Sequence, residues 1–92
     1  MAHCPIEKLA DIEKLLQEIR TLERIQEKSK GIFYLKSKGF LHFHLKDEQR
    51  WADVRDGAEW GSQIDLPFHP NKKTQENFLL EIKKRHKKTL KL

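Results

Sequence analysis

The chain has 92 residues, 19 Lys/Arg against 14 Asp/Glu, and a formal net charge of +5, which suits one small domain with a modest core. It holds no apolar run near the roughly 18 residues a membrane span needs, no hydrophobic signal region in its first residues, and a single cysteine, Cys4, with no partner for an internal disulfide. These features predict a single cytoplasmic domain over residues 1–92, with residues 1–4 as a flexible N-terminus and 87–92 as a basic, fraying tail.

From Pro5 to about Arg24 the apolar residues Ile6, Leu9, Ile12, Leu15, Leu16, Ile19 and Leu22 recur at steps of three and four, which predicts an amphipathic helix. Pro5 suits its first turn. The stripe packs on the protein's own sheet or, alternatively, forms a dimer seam, so the chain is a monomer or a homodimer. The following "RIQEKSKG" either prolongs the helix to a cap at Gly31 or leaves it early to begin a strand.

The middle of the chain reads as strands. "IFYL", "GFLHFHL" and "RWADVR" are short, aromatic and branched, and are separated by the turn-like "KSKG" and "KDEQ". Asp56-Gly57 signals a hairpin into a fourth strand from Glu59 and Trp60 to Ile64 and Leu66, weakened or bent at Gly61 and Ser62. Pro67 and Pro70 end the sheet. Asn71 or Thr74 then caps a second helix. Phe78, Leu79, Ile82, His86 and Leu90 share one side of it, and Lys84, Lys87, Lys88 and Lys91 the other. The expected fold is α+β in two layers: an N-terminal helix, a four-stranded antiparallel meander and a C-terminal helix.

Strand parity sets the candidate site. Leu41, Phe43 and Leu45 alternate with His42 and His44, and Ala52 and Val54 complete an apolar face across the turn. The opposite face carries His42, His44, Trp51, Asp53 and Arg55, a ligand-binding surface for a small anion or a peptide. His42, His44 and Asp53 are also possible ligands for zinc, iron or copper. Arg55 argues against a cation there, being a natural partner for Asp53. A closed zinc site also wants four ligands where three are evident, and H-x-H alone is a weak signal, so no metal or other cofactor is expected and the plainest reading is two surface histidines beside an ion pair. Phe40 and Trp51 are candidates to face outward. No nucleophile is armed and no glycine loop cradles a phosphate, so a non-enzymatic module is favoured over a metal-dependent enzyme.

Charge is unevenly placed. Residues 1–66 carry 11 Lys/Arg and 12 Asp/Glu, and residues 67–92 carry 8 and 2. This basic segment suits an anionic ligand or protein. It makes Lys84, Lys87, Lys88 and Lys91 candidate contacts to nucleic-acid phosphates, set against a plain solvated helix face.

"YLKSKGFLHFH" followed by "ADVRDGAEW" resembles a set of short, uncharacterised bacterial proteins in which a Lys-x-Phe-Leu-x-Phe-His strand precedes an Ala-Asp-(Leu/Val)-(Lys/Arg) strand. The resemblance covers roughly residues 31–66. It implies a helix, sheet and helix arrangement and no particular activity, and it draws attention to Lys38, Phe40, His42, His44, Asp53 and Arg55.

Overall fold

Spacing of the buried side chains decides the form of the first helix. In the computed structural model, which describes residues 3–92, Ile6–Ile12 is a 3-10 helix and Glu13–Arg20 (α1) is α-helical. Leu9 and Ile12 stand three residues apart, matching three residues per turn, whereas Leu15, Leu16 and Ile19 follow the 3.6 of an α-helix. Ile6, expected on this stripe, is exposed. The helix also stops short of Arg24. The Thr21 N–H and hydroxyl both donate to the Glu18 carbonyl, and Arg24 takes a positive φ of 63° that turns the chain into a strand.

That strand, β1 (Ile25–Ser29), settles the two readings of "RIQEKSKG". It is followed by β2 (Ile32–Leu35), β3 (Lys38–Lys46), β4 (Gln49–Asp56), β5 (Glu59–Trp60) and β6 (Ile64–Asp65). All pairings are antiparallel in the order β1-β2-β3-β4-β5, with β6 also on β4, so the sheet exceeds the four strands expected. Two causes add strands. β1 is a charged edge strand with little strand propensity of its own. The segment from Glu59 onward is broken in two: Arg55 pairs with Trp60 but Ala52 with Ile64, so a three-residue step on β4 meets a four-residue step opposite. Arg85 fills the break, donating to the carbonyls of Val54 (3.2 Å) and Ser62 (2.9 Å). A Cβ at Gly61 would lie 2.7 Å from the Arg85 Nη1, so glycine is needed for this approach.

Two-residue turns join β2 to β3 and β3 to β4. Lys36, Ser37, Asp47 and Glu48 all have positive φ, as type I′ hairpins require. The register between β3 and β4 is the expected one, with Leu41 opposite Val54 and Phe43 opposite Ala52. Phe40 departs from expectation. Phe33 pairs with Leu41 but Tyr34 with Gly39, which leaves Phe40 as an extra residue in β3. This bulge turns Phe40 inward beside Leu41, where it is fully buried with its ring 6.0 Å from that of His86.

The helices cover one face of the sheet. Asn71 caps α2 (Lys72–Leu90) by accepting the Thr74 N–H at 2.8 Å. Phe78, Ile82 and His86 are buried, Leu79 and Leu90 half-buried, and Arg85 and Thr89 join them. The Lys36 ammonium donates to the carbonyls of Leu90 and Leu92 at 2.7 and 2.9 Å, closing the C-terminal end of the helix. Among the described residues no helix is long and apolar enough to cross a membrane.

A single buried cation ties these parts together. Arg50, on the inner face of β4, donates to the carbonyls of Lys8, Leu66 and Pro67 and to both oxygens of Asp11, at 2.7–3.0 Å. Its five N–H groups are thereby all used. Its guanidinium also lies 4.3 Å from the centre of the Phe68 ring.

Candidate functional site

On the face turned away from the helices, the parity of β3 and β4 brings His42, His44, Trp51 and Asp53 side by side. His42 is directly opposite Asp53, and His44 opposite Trp51. One ring nitrogen of each histidine and a carboxylate oxygen of Asp53 all lie within 4.8 Å of one another. The two imidazole centroids are 4.6 Å apart, and His44 Nε2 is 2.9 Å from Asp53 Oδ2.

The polar bookkeeping of this cluster is incomplete. His42 Nδ1 and His44 Nε2 are buried without a hydrogen-bond partner. The close approach of His44 to Asp53 therefore lacks the alignment of a hydrogen bond. Buried nitrogens are nearly always satisfied, so the unpartnered His42 Nδ1 and the misaligned His44 Nε2 are unusual. Burial pushes the His42 imidazole below its ordinary range, the neighbouring His44 and His3 act in the same direction, and Asp53 opposes them. A neutral imidazole at neutral pH is the form that ligates metals.

Aromatic walls hold the histidines. The Trp51 ring stacks on His44 at 5.4 Å, and the Trp60 ring meets His42 edge-on at 4.9 Å. Trp60 was not among the expected site residues. Its pairing with Arg55 across the β4–β5 hairpin puts it on this face. His3 was also missed. β2 ends opposite His42, and beyond that point the N-terminal segment takes its place beside β3. There His3 bridges to His44, and the Cys4 N–H donates to the Phe43 carbonyl at 3.2 Å. Of the N-terminal residues 1–4 expected to be flexible, Met1 and Ala2 lie outside the described residues.

Arg55 does not partner Asp53, which corrects the sequence expectation. Its guanidinium donates to the carbonyls of Gly39 (2.7 Å) and Ala58 (3.1 Å) and lies over the Trp60 ring at 4.7 Å. It lines a cavity of about 290 Å³ together with Leu35, Lys38 and Leu92, away from the carboxylate. Arg55 therefore does not occupy the Asp53 carboxylate. What remains is a two-imidazole, one-carboxylate donor set suited to a divalent first-row transition metal. Bonds of about 2.0–2.2 Å place ligand atoms roughly 3.3 Å apart, so small side-chain rotations close the set.

The other reactive groups are quiet. Burial pushes the Cys4 thiol up from its ordinary value, the reverse of an activated nucleophile. His86 is satisfied by the Glu23 carbonyl at 2.7 Å. Lys84, Lys87, Lys88 and Lys91 are all exposed, and Lys88 is paired with Asp56 at 3.3 Å. No family model, no curated protein and no solved structure matches this chain.

Proposed function

We propose that this protein is a small, non-enzymatic binding module working through the outer face of its sheet, and that the group it takes there is a divalent transition-metal ion held by His42, His44 and Asp53. The observation that carries the reading is the convergence of His42, His44 and Asp53, whose donor atoms lie within 4.8 Å of one another, with His42 Nδ1 buried and without a hydrogen-bond partner. Trp51 and Trp60 fix the imidazole planes from either side. The unpaired Cys4 suits a reducing compartment, and the reading includes a cytoplasmic location.

The test is zinc titration of protein purified without a histidine tag. At 100 times Kd, binding to the folded state adds about 2.7 kcal/mol of stability, a rise in Tm of roughly 10–20 °C for a domain of this size. The ring signals of His42 and His44 should shift together at one ion per chain, and His42→Ala should abolish the response. No rise in Tm, with unmoved ring signals, overturns the reading.

A second reading rests on a separate observation. Lys36 docks on the C-terminal end of α2, the helix on which Lys84, Lys87, Lys88 and Lys91 are all exposed. We propose nucleic-acid phosphates as the partner for that end of the molecule, with little sequence preference.

A further inference from the structure

A third histidine that no strand of the hairpin core supplies stands on the outer face. His3 belongs to the N-terminal segment, which pairs with β3 past the point where β2 begins, at Ile32. Pairing with His44 puts the His3 side chain on the same face as His42 and His44. Its ring centroid is 5.4 Å from that of His44 and 6.0 Å from that of His42, and the two strand histidines are 4.6 Å apart. A tetrahedral ion with Zn–N bonds of about 2.0–2.1 Å holds imidazole centroids roughly 5 Å apart. The three observed separations bracket that value, although His3 lies outside the set of donor atoms within 4.8 Å of one another, so its exposed ring must turn toward the other two to share an ion.

Resting on the metal reading above, we propose that His3 is the fourth ligand, so that His3, His42, His44 and Asp53 form a closed four-coordinate site of the zinc class. Two consequences follow from closure. A site with four protein ligands keeps no open position for a substrate or an activated water, so the ion is structural or regulatory. The ion also adds a side-chain clip to the N-terminal segment, which pairs with β3 through the His3–His44 bridge and the Cys4 N–H to Phe43 carbonyl bond. The metal thus strengthens the hold of this segment on the sheet.

The experiment is titration of the full chain with Zn²⁺ and with Co²⁺ as a spectroscopic probe, for the wild type, His3→Ala and His42→Ala, with amide exchange at Cys4 followed in parallel. His3 is exposed, so its loss leaves folding intact, and circular dichroism of the metal-free variant checks this. The wild type should show the intense visible cobalt absorption of a four-coordinate site and slower exchange at Cys4 when metal is bound. His3→Ala should still bind, roughly 100-fold more weakly, at the upper end of what loss of even a supporting partner does to metal affinity. It should also lose the metal-dependent protection of Cys4. If His3→Ala matches the wild type in affinity, cobalt spectrum and Cys4 exchange, the fourth-ligand assignment is wrong while the three-ligand reading stands. If His42→Ala binds as well as the wild type, the ion is held at the N-terminus alone and both fail. If the wild type binds neither ion, both fail as well.

Discussion

The two faces of the β3–β4 hairpin treat polar groups in opposite ways. Arg50 and Trp51 are neighbours in β4, yet they look out on different chemistry. On the inner face, the buried Arg50 uses every N–H it has, and its charge is met by Asp11 at 2.7 Å. On the outer face, a few residues along the same strands, His42 Nδ1 is buried without a hydrogen-bond partner and His44 Nε2 meets Asp53 only out of alignment. A fully satisfied buried group organises a fold, because every competing arrangement leaves donors unpaired. Unsatisfied groups do not serve the fold, and this is the property on which the proposed metal site rests.

This contrast makes the inner face the place where substitution should do most damage. Arg50→Ala removes the tie between the 3-10 helix, β4 and the segment after β6 and leaves Asp11 without its cation. A loss of about 3–5 kcal/mol is expected, in line with breaking one side of a buried ion pair, and urea denaturation measures it. A loss below about 1 kcal/mol would erase the distinction between the faces.

Acid should expose the same pair. Burial works to raise the Asp11 carboxyl, but hydrogen bonds from the Arg50 guanidinium and the His69 N–H outweigh it, leaving the group below its ordinary range. A carboxyl depressed in the folded state stabilises above its unfolded value, about 3.9, and that contribution is lost as pH falls through the folded value. The wild type should therefore lose stability below about pH 4. Asp11→Asn should be less stable at pH 7, and its deficit should shrink steadily toward pH 2. A deficit independent of pH would mean that the carboxylate's charge contributes nothing.

The outer face should behave in the reverse sense. In metal-free protein His42→Phe should leave stability unchanged or raise it by up to about 1 kcal/mol, because it removes a buried nitrogen that makes no hydrogen bond. Stabilisation by added zinc should disappear in the same variant. A destabilisation like that of Arg50→Ala would show that His42 is part of the framework instead.

The smallest effects belong to the lysine stripe, which lies on neither face of the sheet. Single Lys84→Ala or Lys87→Ala changes should move stability by less than about 0.5 kcal/mol. If the stripe meets duplex DNA, each should reduce the slope of log affinity against log salt by about 1. Lys88, already paired with Asp56, should reduce it less. Binding with no salt dependence would rule out phosphate contact, and absence of binding at low salt would leave the lysines a solvated face.

What could be read along the chain was whatever repeats over a few residues. The two-residue alternation of "LHFHL" and "WADVR" determined their register, because a slip by one would bury Asp53 and Arg55 and expose the core. Turn residues placed the hairpins, and three-and-four spacing divided α2 into an apolar side and a lysine side. The rest depended on partners distant in sequence. β1 has no strand signal and is a strand because β2 offers it an edge. Phe40 turns inward because the pairing with β2 leaves one residue over. Arg50 reads as one more charge in a polar stretch, and only the arrival of Asp11, Leu66 and Pro67 around it makes it a core residue. His42, His44 and Asp53 were legible as neighbours because local parity puts them on one face. Trp60, the departure of Arg55 and the approach of His3 were decided by tertiary structure, since each depends on where a separate segment ends and what backbone it leaves unpaired.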